Sequence, residues 1–106
     1  MNHTLIDERS RQMDILIAAR LRRNPSLLRH AKENLARWRL SASPNVIPAL
    51  DEWEALLNGN FDELLRFMVS SDERATRLRQ SSPFAGPHFI SSDERLELIR
   101  KFREAS

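Results

Sequence analysis

Residues 25–40 read Pro-Ser-Leu-Leu-Arg-His-Ala-Lys-Glu-Asn-Leu-Ala-Arg-Trp-Arg-Leu. Leu28, Ala31, Leu35 and Trp38 step by three, four and three, which stacks them into one stripe on a helix of about 3.6 residues per turn. Arg29, Lys32, Glu33 and Arg37 fill the intervening positions, as on a water-facing side. A half-buried strand needs alternation, and this stretch has none. Asn24-Pro25 sets the start, with Asn24 as N-cap and Pro25 at the first helical position, where its missing amide hydrogen costs nothing. The helix runs to about Leu40.

The same logic extends outward. Upstream, a first helix spans Ile6 to Arg22, with Met13, Leu16, Ile17 and Leu21 on one face. Downstream, Ser43-Pro44 opens a third, in which Val46, Leu50, Trp53 and Leu57 keep the spacing. Pro48 lies in its first turns, so regular helix begins there, and Asn58-Gly59 stops it. Asn60 caps a short fourth helix with apolar side Phe61, Leu64, Leu65 and Met68, and Asp62 and Glu63 stand near its positive end. Ser71-Asp72-Glu73 begins a fifth, carrying Ala75 and Leu78. A loop with Pro83, Gly86 and Pro87 fills Ser81 to Ser91. Ser92-Asp93-Glu94-Arg95 then starts the last helix, with Leu96, Ile99 and Phe102 on one side. The expected fold is all-α, an irregular bundle of about five or six short helices in one domain over residues 1–106. Short connections imply antiparallel neighbours. Ile15, Leu27 and Leu56 fall off the main stripes and leave a second interface open, either to a partner or to a homodimer.

Composition narrows the function. The chain has no cysteine, which excludes a disulfide scaffold, a thiolate metal site and a cysteine nucleophile. The longest apolar run, Ile15 to Ala19, is far short of the ~20 residues that span a bilayer. No membrane role and a cytoplasmic location are therefore expected. Net charge is +2, but it is unevenly laid out. Residues 1–40 carry nine basic and four acidic side chains, residues 41–73 one and seven, and residues 74–106 seven and four. Such blocks either pair with one another in the fold or present separate charged faces.

Chemistry is sparse. His3, His30 and His88 are far apart, and no further ligands stand at helical spacing for a metal. Ser81-Ser82 lacks a glycine elbow and a base. Gly59 and Gly86 alone cannot build a phosphate loop. Asp51-Glu52 and Asp62-Glu63 read as a solvated acidic face and helix-start residues. No catalytic, cofactor-binding or metal set is expected, and the pattern points to a binding protein. Arg20, Arg22, Arg23, Arg29 and Arg37 could neutralise phosphates, which makes a nucleic-acid-binding transcriptional regulator one alternative. A non-inhibitory adaptor subunit is another.

The segment best suited to a partner begins at Arg74. Arg74, Arg77, Arg79 and Gln80 lead into Ser81, Ser82, Pro83 and Phe84, with His88 beyond. Arginine pairs in a planar, multi-donor way with carboxylates and phosphates. Phe84 can anchor in a partner's pocket, and Phe84 with Phe89 can fold back to close the core, two roles that do not exclude one another.

Asn34-Leu35-Ala36-Arg37-Trp38, Leu50-Asp51-Glu52-Trp53, Leu78-Arg79-Gln80-Ser81-Ser82-Pro83-Phe84 and Glu94-Arg95 resemble strings in short bacterial antitoxins of two-gene toxin–antitoxin operons. The likeness runs from about Arg9 to Phe102. It implies direct neutralisation of a cognate toxin, of nucleotidyltransferase type. The Arg77–Phe84 segment would lie at the toxin's active-site cleft, and the acidic stretch 51–63 against its basic surface. No separate DNA-binding domain and no long disordered tail are evident, in departure from the simplest antitoxin plan.

Overall fold

The structure, a computed structural model, describes the backbone of residues 2–105 and the side chains of residues 6–103. Among the described residues it is all-α, with six helices: α1 (Asn2–Arg23), α2 (Leu28–Arg39), α3 (Ile47–Leu57), α4 (Phe61–Met68), α5 (Glu73–Leu78) and α6 (Ser92–Ala105). Single 3-10 turns at Pro25–Leu27 and Arg79–Ser81 precede α2 and follow α5.

Local chemistry explains most boundaries. The Asn60 side chain accepts the Glu63 amide at 2.9 Å, and Asp72 accepts the Ala75 amide at 2.8 Å. Ser91 and Glu94 exchange bonds in a capping box: the Glu94 amide donates to Ser91 Oγ at 3.1 Å, and the Ser91 amide to Glu94 Oε1 at 2.9 Å. α3 starts at Ile47, one residue before Pro48, which the first turn tolerates. Asn24 departs from its expected role. Its Oδ1 accepts the Ser26 hydroxyl at 2.5 Å and caps no helical amide. The Leu27 amide closes back on the Asn24 carbonyl at 3.1 Å, so the chain makes a tight turn first and regular α2 begins at Leu28.

Trp53 is the centre of the core. It is fully buried, its indole donates to the Leu78 carbonyl at 2.9 Å, and Phe67 and Phe84 meet it edge-on at 5.7 and 5.8 Å. Around it stand Ile17, Ala18 and Leu21 of α1, Ala31 and Leu35 of α2, Leu50 and Leu57 of α3, and Leu64, Leu65 and Met68 of α4. The loop after α5 returns Phe84 and Phe89 to this cluster, their rings edge-to-face at 5.4 Å. Gly86 makes that return possible: its φ of 102° is closed to most side chains, and the Phe89 amide bonds back to its carbonyl at 3.1 Å.

Two expected stripes turn out differently. On α1 the buried face is Asp14, Ile17, Ala18 and Leu21, while Met13 and Leu16 lie half-buried on its flanks. On α6 no described side chain enters the core cluster; Ile99 and Phe102 are half-buried and Leu96 is 63% exposed. The cause is placement. α6 packs on α1 rather than on the Trp53 core, and Arg20 near the end of α1 meets Glu94 in the first turn of α6, so the two helices run antiparallel. Among the described residues no helix is long and apolar enough to cross a membrane.

Candidate partner-binding surface

The segment Arg74–His88 divides into an outward and an inward set. On α5, Arg74 and Arg77 are exposed and straddle Glu52 of α3, with Arg74 Nε at 3.1 Å from Oε1 and an Arg77 guanidinium nitrogen at 3.2 Å from Oε2. The hydrogen bonds from Arg77 and Arg74 hold the Glu52 carboxyl below its ordinary range. Arg74 also lies over the Phe67 ring, 5.0 Å from its centre. Gln80 is exposed beside them in sequence, while Ser81 and Ser82 are half-buried.

Arg79 and Phe84 point the other way. The Arg79 side chain is 5% exposed and donates to the Met68 carbonyl at 2.9 Å and to the Ser70 carbonyl. Phe84 is 4% exposed among Trp53 and Phe89, and its amide is taken by Ser82 Oγ at 3.2 Å. Of the two roles open to Phe84 and Phe89, the structure gives them the closing of the core. His88 is exposed but remote from the arginine pair: its ring stacks flat on His30 of α2, centres 3.6 Å apart. The side chain of His3 lies outside the described residues.

Two polar side chains that sequence reasoning missed hold this region. Asn34 is buried on α2, and its amide nitrogen donates to the carbonyls of Pro83 at 2.8 Å and Ala85 at 3.2 Å. It pins the loop to the bundle. Asp14 is 5% exposed on α1 and faces Arg79 at 3.5 Å. Burial pushes its carboxyl up to about 7, against the pull of the Arg79 guanidinium. A signal existed for both: each is a polar residue standing in register with an apolar stripe.

The charge blocks pair with one another to a considerable extent. Arg39 reaches Asp51 at 2.8 Å and Glu54 at 2.7 Å. Arg20 donates to the Phe89 carbonyl at 2.8 Å and to Glu94 at 2.9 Å, and this hydrogen bond brings the Glu94 carboxyl down to about 2. Arg37 donates to Asn34, and Arg22 stands a loose 3.9 Å from Asp62. Of the five arginines considered for phosphate, Arg20 is therefore engaged inside the fold, whereas Arg22, Arg23, Arg29 and Arg37 are exposed along α1 and α2. The acidic stretch 51–63 keeps little uncompensated charge on α3.

A wide, open groove lies elsewhere. Between α1 and α6 runs a groove of about 660 Å³ with a floor of Ile15, Leu16, Ala19 and Leu98. Asp93, Glu94 and Glu97 form its α6 rim, and Gln12 stands on the α1 side. Ile15, one of the apolar residues off the main stripes, finds its place here. Leu27 and Leu56 instead pack against the core cluster. The groove thus sets an apolar floor beside a charged rim. Among the described residues no group of three His, Asp or Glu side chains converges to hold a metal ion. Comparison with protein-family models, with curated proteins and with solved structures gives no match.

Proposed function

We propose that this chain is an antitoxin-like binding protein, which neutralises a cognate toxin enzyme of nucleotidyltransferase type by direct contact. The observation that carries the reading is the α1–α6 groove, an apolar floor left open outside the core that α1 to α5 close around Trp53. Burying Ile15, Leu16 and Leu98 under a partner supplies non-directional affinity, and the Asp93 carboxylate on the rim, beside Glu94 and Glu97 that already pair with Arg20 and Arg100, favours a basic surface such as an RNA-handling enzyme carries. In the acidic stretch 51–63 the α3 carboxylates are paired within the fold, while Asp62 and Glu63 of α4 stay exposed to meet the same surface.

Arg74 and Arg77 offer a second, electrostatic contact. They are presented by a capped helix and share the Glu52 carboxylate, and each guanidinium has further N–H donors for an acidic cleft. Arg79 and Phe84 support that contact from inside rather than touching the partner.

The test is co-expression of a toxic genomic neighbour with groove variants. Leu16→Arg or Leu98→Arg places a charge on the floor and abolishes protection, while Arg74→Ala with Arg77→Ala weakens it. Full protection by both floor variants overturns the reading. Two other readings have their own signatures. A stable complex with undiminished enzyme activity makes the chain an adaptor. Salt-sensitive DNA retention lost on replacing Arg22, Arg23, Arg29 and Arg37 makes it a regulator, a reading favoured by the exposure of those four side chains.

A further inference from the structure

Asp7, Ser10 and Asp14 follow one another at three- and four-residue spacing, so they share one face of α1 over two turns. Asp14 ends the row against Arg79, and from that pair a cleft opens between α1 and the α5 segment towards the start of α1. It holds about 250 Å³, with Ile6, Asp7 and Ser10 on one side and Thr76, Arg79 and Gln80 on the other. Among the described residues the side chains of Asp7, Ser10, Thr76 and Gln80 have no hydrogen-bond or ion-pair partner. Arg79 is more than nine-tenths buried, yet it is incompletely satisfied. Its Nη2 serves the Met68 and Ser70 carbonyls, its Nε is buried without a hydrogen bond 3.5 Å from Asp14 Oδ2, and its Nη1 has no partner. Asp14 offsets the guanidinium charge only in part, because burial pushes its carboxyl up to about 7.

We propose that this cleft binds a small zwitterion of the α-amino-acid class, its carboxylate taken by Arg79 with the Ser10 and Thr76 hydroxyls and its ammonium by Asp7. Charge and length carry the assignment. Asp7 and Arg79 form no ion pair with each other, so the cleft keeps a negative and a positive group apart. Seven residues of helix separate Asp7 from Asp14, the residue that Arg79 meets, which is about 10 Å along the axis. A zwitterion with charges about 3 Å apart and a contact of about 2.8 Å at each end spans about 9 Å. A simple anion faces the Asp7 carboxylate and a simple cation faces the Arg79 guanidinium, so each is repelled at one end. Ile6 gives the ligand's side chain an apolar wall, and the volume, below that of pockets for drug-sized molecules, suits a molecule of this size. The cleft shares no lining residue with the α1–α6 groove, so the assignment stands whether or not the antitoxin reading does.

Amide chemical-shift titration of the full chain tests it, with L-alanine, L-serine and L-valine as probes and sodium acetate and methylammonium chloride as single-charge controls. The amino acids give saturable shifts at Ser10, Thr76 and Gln80 with half-saturation at about 1 mM, and either control binds about tenfold more weakly. Asp7→Asn keeps the circular dichroism of the wild type and weakens L-alanine about tenfold, and Ser10→Ala with Thr76→Ala weakens it severalfold. The comparison of probes with controls is made on the wild type and stands even where a variant fails to fold. Acetate or methylammonium binding as tightly as the amino acids overturns the assignment. So does the absence of saturable shifts at these amides up to about 20 mM, or an affinity for L-alanine indifferent to Asp7→Asn.

Discussion

Asn34 joins two links of the fold with one side chain. Its amide nitrogen serves two loop carbonyls, that of Pro83 in a buried bond and that of Ala85 in a partly buried one, and those bonds hold the loop that brings Phe84 and Phe89 home. Replacing it with alanine strands the buried Pro83 carbonyl, so Asn34→Ala lowers unfolding free energy by about 1–3 kcal/mol, measured by urea titration. Trp53 is larger in consequence. Trp53→Ala removes a fully buried ring and leaves the Leu78 carbonyl unpaired, costing about 3–5 kcal/mol. That is much of the ~5–15 kcal/mol available to a whole domain, and loss of the cooperative transition is the expected result.

Asp14 makes a pH prediction of definite sign. Its carboxyl titrates near 7 in the folded chain and at its ordinary 3.8 in the unfolded one. Between those values the folded state binds more protons, so the contribution of this group to stability is fully present below about 4 and is lost as pH rises through 7. Glu94 acts in the opposite sense, but only as pH falls below 4.5 towards about 2. Thermal melts at pH 5 and pH 8 therefore separate the two. Asp14→Asn melts higher than the wild type at pH 8, and the gap narrows at pH 5; a gap independent of pH contradicts the assignment.

At the scale of elements, α1 to α5 share the Trp53 core, and α6 lies outside it, packed chiefly on α1. Its attachments are half-buried apolar side chains, the Arg20–Glu94 pair and the Ser91–Glu94 box. Few buried contacts mean a low opening free energy. Amides of α6 exchange with deuterium well before those of α3 and α4, and Arg20→Ala accelerates α6 selectively. The six helices were legible from period, proline and capping residues, because each signal is local. The direction a helix faces depends on its neighbours. That is why Met13 and Leu16 were read as core, why Leu96 was read with Ile99 and Phe102 as a packed stripe, and why Asn24 was expected to cap a helix that starts four residues later.

At the scale of the molecule, function depends on which charges survive folding. The sequence shows three blocks of alternating sign, and only the fold shows that Arg39, Arg74 and Arg77 meet carboxylates of α3. Arg74, Arg77 and Gln80 remain presentable as expected, and Arg79 and Phe84 do not, since Asp14 beside Arg79 and Trp53 beside Phe84 lie too far along the chain to be visible to local spacing. The groove was anticipated through Ile15 alone; its floor requires α6 to lie along α1. Among the described residues the bundle has a closed core and, between α1 and α6, an open apolar groove flanked by carboxylates.

The central claim is that this groove binds and silences an enzyme. Its most direct test is affinity capture of the tagged chain expressed with its genomic neighbours, followed by growth of cells carrying the captured protein alone. The account predicts a toxic partner that becomes harmless when the wild-type chain is present and stays toxic with Leu16→Arg. A captured protein that is harmless by itself, or one equally silenced by Leu16→Arg, contradicts it.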